Sequence, residues 1–491
     1  MLLNTASLPG PRTATRAGLL ARLRRAAPWA AAESLFSAVA TLASTLVVAR
    51  LLTPSDFGLA SVAFAVVTIV QLLAFAGVPQ AVLRAPQLLP RLSDQLFWVL
   101  LGLGAAATLV CWLIAAPVAR FYGAPLLLWL IGVQAFDCLL QALAQFPTAL
   151  LTRKMRTRSL ALRMLWFKLV SIAGTLAAAT AGLGPWSLVA GSLLGSAASV
   201  LLLWRTQPRR PRWRRFDAGV LPLLRMGWLI MAETALTALS VRGFLLLFGK
   251  FHGLHDLGLL NFAMRLVDEL GAMITASVGR VSLSFFATAH RAGHDLARIF
   301  VIGTHAITLA VLPLFFGLAA VAGDAVPLVF GARWQAAVPA VQLLAVFWGL
   351  RMTRLLSPGL MRTLDVQGPL VMNAAISFGF AMAAVLFTRE LGFVAAVAAF
   401  SARMLVTIPA GAGVLARVAA LPVSRQFAAV ARPLTLATIM AALVLVGRSL
   451  ASDWPLAPRL AALTAGGALL YALLVWGFDR SALARLAALH R

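Results

Sequence analysis

The sequence predicts an all-α integral membrane protein with about fourteen transmembrane helices. Three observations predict it: long apolar blocks, a scarcity of charge, and basic residues gathered in alternate connections. The blocks run for about twenty residues, the length that crosses a hydrocarbon core as a helix. Barrel strands would instead alternate apolar and polar over roughly ten. Of the 491 residues, 61% are hydrophobic and 12% charged, about half the charged share of a soluble domain. A chain this apolar needs lipid as solvent, where only helices and closed barrels satisfy the backbone.

In order, the spans fall near residues 30–49, 58–80, 96–116, 126–148, 162–182, 186–204, 222–249, 257–287, 298–320, 337–360, 369–388, 392–415, 427–447 and 458–478. Residues 1–28, with Arg16, Arg22, Arg24 and Arg25, read as a basic amphipathic segment on the cytoplasmic face, with no cleaved leader. A six-helix half over 29–206 is followed by a basic cytoplasmic linker, 207–220, and a second six-helix half, 221–418. Two additional helices occupy 419–480, and 481–491 is a cytoplasmic tail.

Connections after even-numbered spans are arginine-rich: Arg84 and Arg91, then Arg153, Lys154, Arg156 and Arg158, then Arg205 to Arg215. The other connections hold about one basic residue each, namely Arg50, Arg120, Lys250, Arg333, Arg389 and Arg448. The positive-inside rule then places both termini in the cytoplasm. It also accounts for the net charge of +27, so nucleic acid is not an expected partner. Arginine almost replaces lysine, which remains at Lys154, Lys168 and Lys250. That bias points to a GC-rich bacterium and hence to its inner membrane. Cys111 and Cys138 lie inside apolar blocks and read as small hydrophobes, not as a disulfide or metal site.

The two halves repeat. Asp56-Phe57-Gly58-Leu59 recurs as Asp256-Leu257-Gly258-Leu259, and Arg50 recurs as Lys250, each 200 positions on. Gly182-Leu183-Gly184-Pro185-Trp186 resembles Leu391-Gly392-Phe393. Copies an even number of spans apart share one orientation. Such parallel repeats imply a pseudo-two-fold axis along the membrane normal and a shared central cavity. The aspartates read as structural, since an aspartate just before a helix caps free N–H groups, with Thr53-Pro54 making the entry turn.

The stretch from Arg50 through Pro54 and Asp56 to Gly58 resembles a signature of the polysaccharide biosynthesis proteins, a branch of the MATE/oligosaccharidyl-lipid/polysaccharide exporter superfamily. So do Phe75 to Arg84, Pro147 to Arg156, and Phe330 to Trp334 with Ala337 to Pro339. The resemblance runs from about 29 to 425 and is strongest to the oligosaccharide flippases of O-antigen and exopolysaccharide pathways. It implies a MATE-like fold and alternating access driven by a proton or sodium gradient. The implied cargo is undecaprenyl-pyrophosphate-linked oligosaccharide, carried to the periplasmic leaflet, with membrane lipids, a polysaccharide polymerase and assembly proteins as partners. One departure concerns the coupling ion and substrate. Where many relatives have an acidic residue and tyrosines, this chain has Phe244, Asn261 and Met264.

A charge at the bilayer centre costs about 2.5–3.5 kcal/mol on insertion scales, so each one is a functional candidate. Arg242, Arg265, Arg351, Arg354 and Lys168 are the expected cationic, diphosphate-binding residues. Arg351 and Arg354 stand one turn apart on one helix face, as a clamp would. Arg242 is expected near the outer leaflet and Glu233 nearer the middle; Glu233, Asp268 and Glu269 are the expected cation-sensing carboxylates. Glu33 and Asp137 are weaker candidates, and His305 reads mainly as a helix-packing histidine. No cofactor or catalytic residue is expected. A membrane-embedded glycosyltransferase or polymerase would need a large loop with clustered carboxylates or histidines, which the chain lacks. The remaining rivals are a lipid II flippase, also of fourteen spans, and a multidrug/cation antiporter, which has a more acidic cavity.

Overall fold

The computed structural model describes residues 40–41, 43–75, 90–153, 156–206, 211–212, 228–293, 295–364, 366 and 368–479. The expected amphipathic segment, the linker 213–220, the tail, Glu33 and the Ala76–Arg84 stretch lie outside them. Among the described residues the protein is helical, with no strand. The first half contains residues 43–51 (α1), α2 (Pro54–Phe75), α3 (Pro90–Tyr122), α4 (Leu126–Gln134), α5 (Phe136–Arg153), α6 (Thr157–Thr180) and α7 (Trp186–Arg205). The second contains α8 (Trp228–Arg291), α9 (Leu296–Phe330), a 3₁₀ turn (Ala332–Ala337), α10 (Val338–Met352), α11 (Ser357–Thr363), α12 (Gly368–Thr388) and α13 (Phe393–Val418). Helices α14 (Val423–Leu450) and α15 (Leu456–Phe478) follow.

Twelve described segments are long and apolar enough to cross a membrane, against the fourteen or so expected. Two features account for the difference. The first expected span is described only from residue 40. The seventh and eighth are one element, α8, broken at Gly253 with φ 88° and ψ 165°. This left-handed φ favours glycine, which has no Cβ to collide with the following carbonyl. Residues about equally far on either side of Gly253, such as Val241 and Met264, line one cavity. The two arms of α8 therefore stand side by side.

The pseudo-symmetry is visible in atomic contacts. An added Cβ at Gly58 would strike the carbonyl of Leu254, and one at Gly258 would strike that of Pro54. Residues 54 and 58 thus meet 258 and 254 reciprocally, as a two-fold contact requires. The basic residues behave alike. Arg50 donates to Val329 O from Nη2 at 3.0 Å, and Lys250 donates to Phe121 O at 2.5 Å. Each reaches from its own half into the other. Trp334, fully buried, adds an indole N–H to Ala49 O at 2.8 Å. Its ring packs edge-on to Phe57 (5.2 Å) and stacks on Phe262 (4.3 Å). These contacts all lie at the end of the bundle that holds Arg50, Lys250 and Gly253, and together they seal it.

The entry to α2 differs in detail from the sequence expectation. The helix begins at Pro54, and Asp56 lies in its first turn. The Asp56 carboxylate accepts from Thr53 N (2.9 Å) and Thr53 Oγ1 (2.7 Å), while Asp56 N donates to Thr53 Oγ1 (3.2 Å). This is a reciprocal capping box with Thr53 at the cap and Asp56 as its third-position partner. Proline at the first helical position starts the helix earlier because its missing N–H needs no acceptor.

Helices α14 and α15 are fastened to α9 at both ends. Asp324, 1% exposed, accepts from Arg448 Nε at 3.1 Å and from Arg459 Nη2 at 2.8 Å. At the other end His305 pairs with Asp479 at 2.7 Å and contacts Ala429 O at 2.8 Å, the packing role expected for that histidine. Removing one partner of a buried pair costs about 3–5 kcal/mol, because it strands the other charge. Asp324→Ala is therefore expected to lower the melting temperature of the detergent-solubilised protein by several degrees. Alanine at Asp453, on the exposed connection, should leave it unchanged; equal melting curves for all three proteins would refute the clamp.

Candidate functional site

The centre of the bundle is a chamber between the halves. One part, about 260 Å³, is lined by α2, the α4–α5 junction, α7 and both arms of α8. The other, about 660 Å³, runs between the arms of α8 away from the seal. Thr68, Arg242, Asn261 and Arg265 line both parts, which makes them one continuous space. Arg242 lies eleven residues before Gly253 and Arg265 twelve after it. At 1.5 Å per residue each is about 17 Å from the seal, level with the other. Among the described residues neither has an acidic partner within ion-pair distance. Two guanidiniums with free donors thus face one chamber at one depth, suited to bidentate recognition of phosphate oxygens.

Along α8, Arg242 lies nearer Gly253, and Glu233 lies about 30 Å from it, toward the end away from the seal. There Glu233 accepts from Arg362 Nη2 at 3.2 Å through each of its oxygens. Lys168, on α6, approaches Glu269 of the opposite half at 3.8 Å and donates to Thr41 Oγ1 at 3.0 Å. Asp268 faces Arg242 and Arg351 and lies beside the Trp348 indole. Of the i+3 and i+4 partners expected for Arg265, Asp268 thus turns to Arg242 and Arg351, while Glu269 lies beside both Arg265 and Lys168.

The arginine clamp expected at Arg351 and Arg354 does not form as a pair. Helix α10 ends at Met352, so the intervening turn sends the two side chains apart. Arg351 sits over the Trp348 ring at 4.9 Å and remains near the chamber through Asp268. Arg354 donates to Gln426 Oε1 at 2.8 Å and lies over Phe300 at 5.9 Å, facing α14 and α9. Phe244, at the position where the resemblance expects an acid, is fully buried and stacks on Phe400 at 3.9 Å.

Sequence reasoning missed Arg403. It is 6% exposed, lies 3.6 Å over the Phe400 ring and donates to Phe400 O at 2.5 Å. A lone arginine in an apolar span was the available signal. It also missed Gln71, Gln134, Thr68 and Ser192 on the chamber wall, because uncharged polar residues carry no comparable insertion penalty. Among the described residues no cluster of histidine, cysteine and acidic side chains could hold a metal ion.

An all-helical membrane fold of two like halves around a charged inter-half chamber defines a transporter-type membrane protein. The chain belongs to the polysaccharide biosynthesis protein family, whose model matches residues 47–339, more than half of its length. It is 26% identical over 310 residues to the succinoglycan biosynthesis transport protein ExoT of Rhizobium meliloti (strain 1021). That match spans 62% of this chain and 62% of ExoT, so it covers less than two thirds of the relative's length. In fold the chain resembles the lipid II flippase MurJ in its inward closed conformation, with a TM-score of 0.75, 13% identity, and coverage of 93% of this chain and 99% of that one. It also resembles an inward-facing multidrug resistance MATE family transporter, with a TM-score of 0.63, 16% identity, and coverage of 79% and 98%.

Proposed function

We propose that the protein flips undecaprenyl-pyrophosphate-linked oligosaccharide repeat units from the cytoplasmic to the periplasmic leaflet of a bacterial inner membrane, for exopolysaccharide, capsule or O-antigen assembly. The observation that carries this reading is the pair Arg242 and Arg265, level with each other in a central chamber, with no carboxylate within ion-pair distance of either among the described residues. Cations at membrane depth without a directly bonded counter-ion are costly, and a cargo diphosphate offsets that cost when it binds. The lipid tail stays in the bilayer while the head group crosses through the chamber. The family supports a cargo of the polysaccharide pathways, and the likeness to a succinoglycan transport protein points the same way.

With both termini cytoplasmic, the sealed end carrying Arg50, Lys250 and Trp334 is the periplasmic one. The larger part of the chamber then lies toward the cytoplasm. Opening the seal while the Lys168–Glu269 end holds would expose the same arginines to the other side, driven by an ion gradient. Loss of the gene should leave the lipid-linked repeat unit accumulating in the cytoplasmic leaflet, read as resistance to an impermeant glycan-cleaving reagent in intact spheroplasts. A deletion strain whose repeat units reach the outer leaflet at the wild-type rate would refute the assignment.

A further inference from the structure

Four carboxylates line the chamber, and they are not equivalent. Glu233 faces Arg362, Glu269 faces Lys168, and Asp268 faces Arg242 and Arg351. Asp137, at the junction of α4 and α5, has no cationic partner among the described residues. It is 7% exposed, and one oxygen, Oδ2, accepts from Gln71 Nε2 at 2.9 Å. Its other oxygen, Oδ1, is buried without a hydrogen-bond partner, and so is Oε1 of Gln134, itself 2% exposed. Two acceptors left unsatisfied in a membrane interior carry a desolvation cost of about 1–3 kcal/mol each. Such groups call for an explanation, and a bound ion is one of the few available.

What would satisfy them is a small positive charge. Both residues line the 260 Å³ part of the chamber, with the hydroxyl oxygens of Ser61, Thr68 and Ser192 on the same wall. At Ala135, between α4 and α5, the pattern tightens so that Cys138 N donates to Ala135 O at 2.9 Å, and the span runs on through the site with right-handed helical angles. A single carboxylate among neutral oxygens balances one positive charge, and the described residues offer no cluster for a divalent metal.

We propose that Asp137, Gln134 and Gln71 form a binding site for one sodium-sized monovalent cation on the wall of the first half. The other charged groups lining this part of the chamber, Arg242 and Arg265, stand on α8 across from it. A cation and an anionic head group then occupy opposite walls of one space, where each offsets the field of the other. The site moves the cation away from Glu233, Asp268 and Glu269, whose charges are already matched. It does not depend on which cargo the chamber carries.

Equilibrium binding of radioactive sodium to the full chain in detergent, at constant ionic strength with choline as the balancing cation, tests this directly. Saturable binding of about one ion per chain is expected. Asp137→Asn keeps an acceptor for Gln71 but removes the charge, and should weaken binding at least tenfold. Gln134→Ala, which leaves every charge in place, should weaken it several-fold. Wild-type protein with no saturable sodium binding, or filled only by water, overturns the proposal. So does sodium binding that survives both substitutions, or that disappears with Glu233→Gln or Asp268→Asn while Asp137→Asn retains it.

Discussion

Alanine at Gly258 is expected to push the sealed end open and to cut transport at least tenfold. The added methyl would overlap the carbonyl of Pro54, with the carbonyl carbon at 2.5 Å and Gly58 N at 3.1 Å. All of these are backbone atoms, so no rotamer change relieves the contact, and the halves must separate. Overpacking costs about 1–3 kcal/mol, and here it falls on the sealed state alone. A bias of that size shifts a two-state equilibrium about 5- to 150-fold. A cysteine at Leu51, 44% exposed beside the seal, should then react faster with an impermeant maleimide added from outside, on a background lacking Cys111 and Cys138. Unchanged labelling and unchanged transport would show that the glycine crossing does not form the gate.

Removing both Arg242 and Arg265 should reduce cargo binding about 100-fold or more. Each hydrogen bond to a charged group contributes about 1.5–3 kcal/mol, and every 1.4 kcal/mol is about tenfold. Lysine at both positions retains charge but loses the forked geometry, so an intermediate loss is expected. Thermal stability distinguishes this role from a structural one. Two partly buried guanidiniums with no carboxylate within ion-pair distance contribute little to folding, and replacing them by apolar residues should leave the melting temperature unchanged or raise it. The check is binding of an undecaprenyl-diphosphate sugar to purified variants beside their melting curves. Full binding by the double alanine variant would remove the arginines from the site.

Much of the membrane architecture was legible because insertion energetics act locally. Each apolar block reports its own span, and the 200-residue repeat of Arg50 and Asp56 as Lys250 and Asp256 announced two like halves. The connection inside α8 was less legible, since a single glycine at φ 88° replaces the loop expected near 250–256. The charged chamber was also partly legible. Arg242 and Arg265 stood out because charge in an apolar block is costly. Their surroundings were not, because Lys168 meets Glu269 and Glu233 meets Arg362 across more than a hundred residues of chain. Helical spacing placed Arg351 beside Arg354, and the end of α10 at Met352 undid that inference. Gln71 and Gln134 left no trace in the charge pattern, although they flank the least balanced carboxylate of the chamber.

The roles of Arg50 and Lys250 show what the repeat is for. In sequence they were members of a family motif; in the fold each donates across the pseudo-two-fold to a carbonyl of the other half, Val329 and Phe121. Tyr122 and Trp334 reinforce the same closure, donating to Leu246 O and Ala49 O. Backbone carbonyls as acceptors make this seal independent of acidic side chains. At the other end of the chamber the halves meet instead through the Lys168–Glu269 ion pair. The two ends therefore use different chemistry, which lets a charged cargo disturb one without loosening the other.

The central claim is that the two halves expose one arginine-lined chamber first to one side of the membrane and then to the other. Spin labels at Leu51 and Phe251, equivalent exposed positions of the two halves beside the seal, measure this motion most directly in liposomes. Double electron–electron resonance should show a single short distance at rest. A second, longer population should appear with a lipid-linked oligosaccharide and an ion gradient, and it should be missing with Arg242→Ala/Arg265→Ala. One unchanged distance under all conditions would contradict alternating access at this seal.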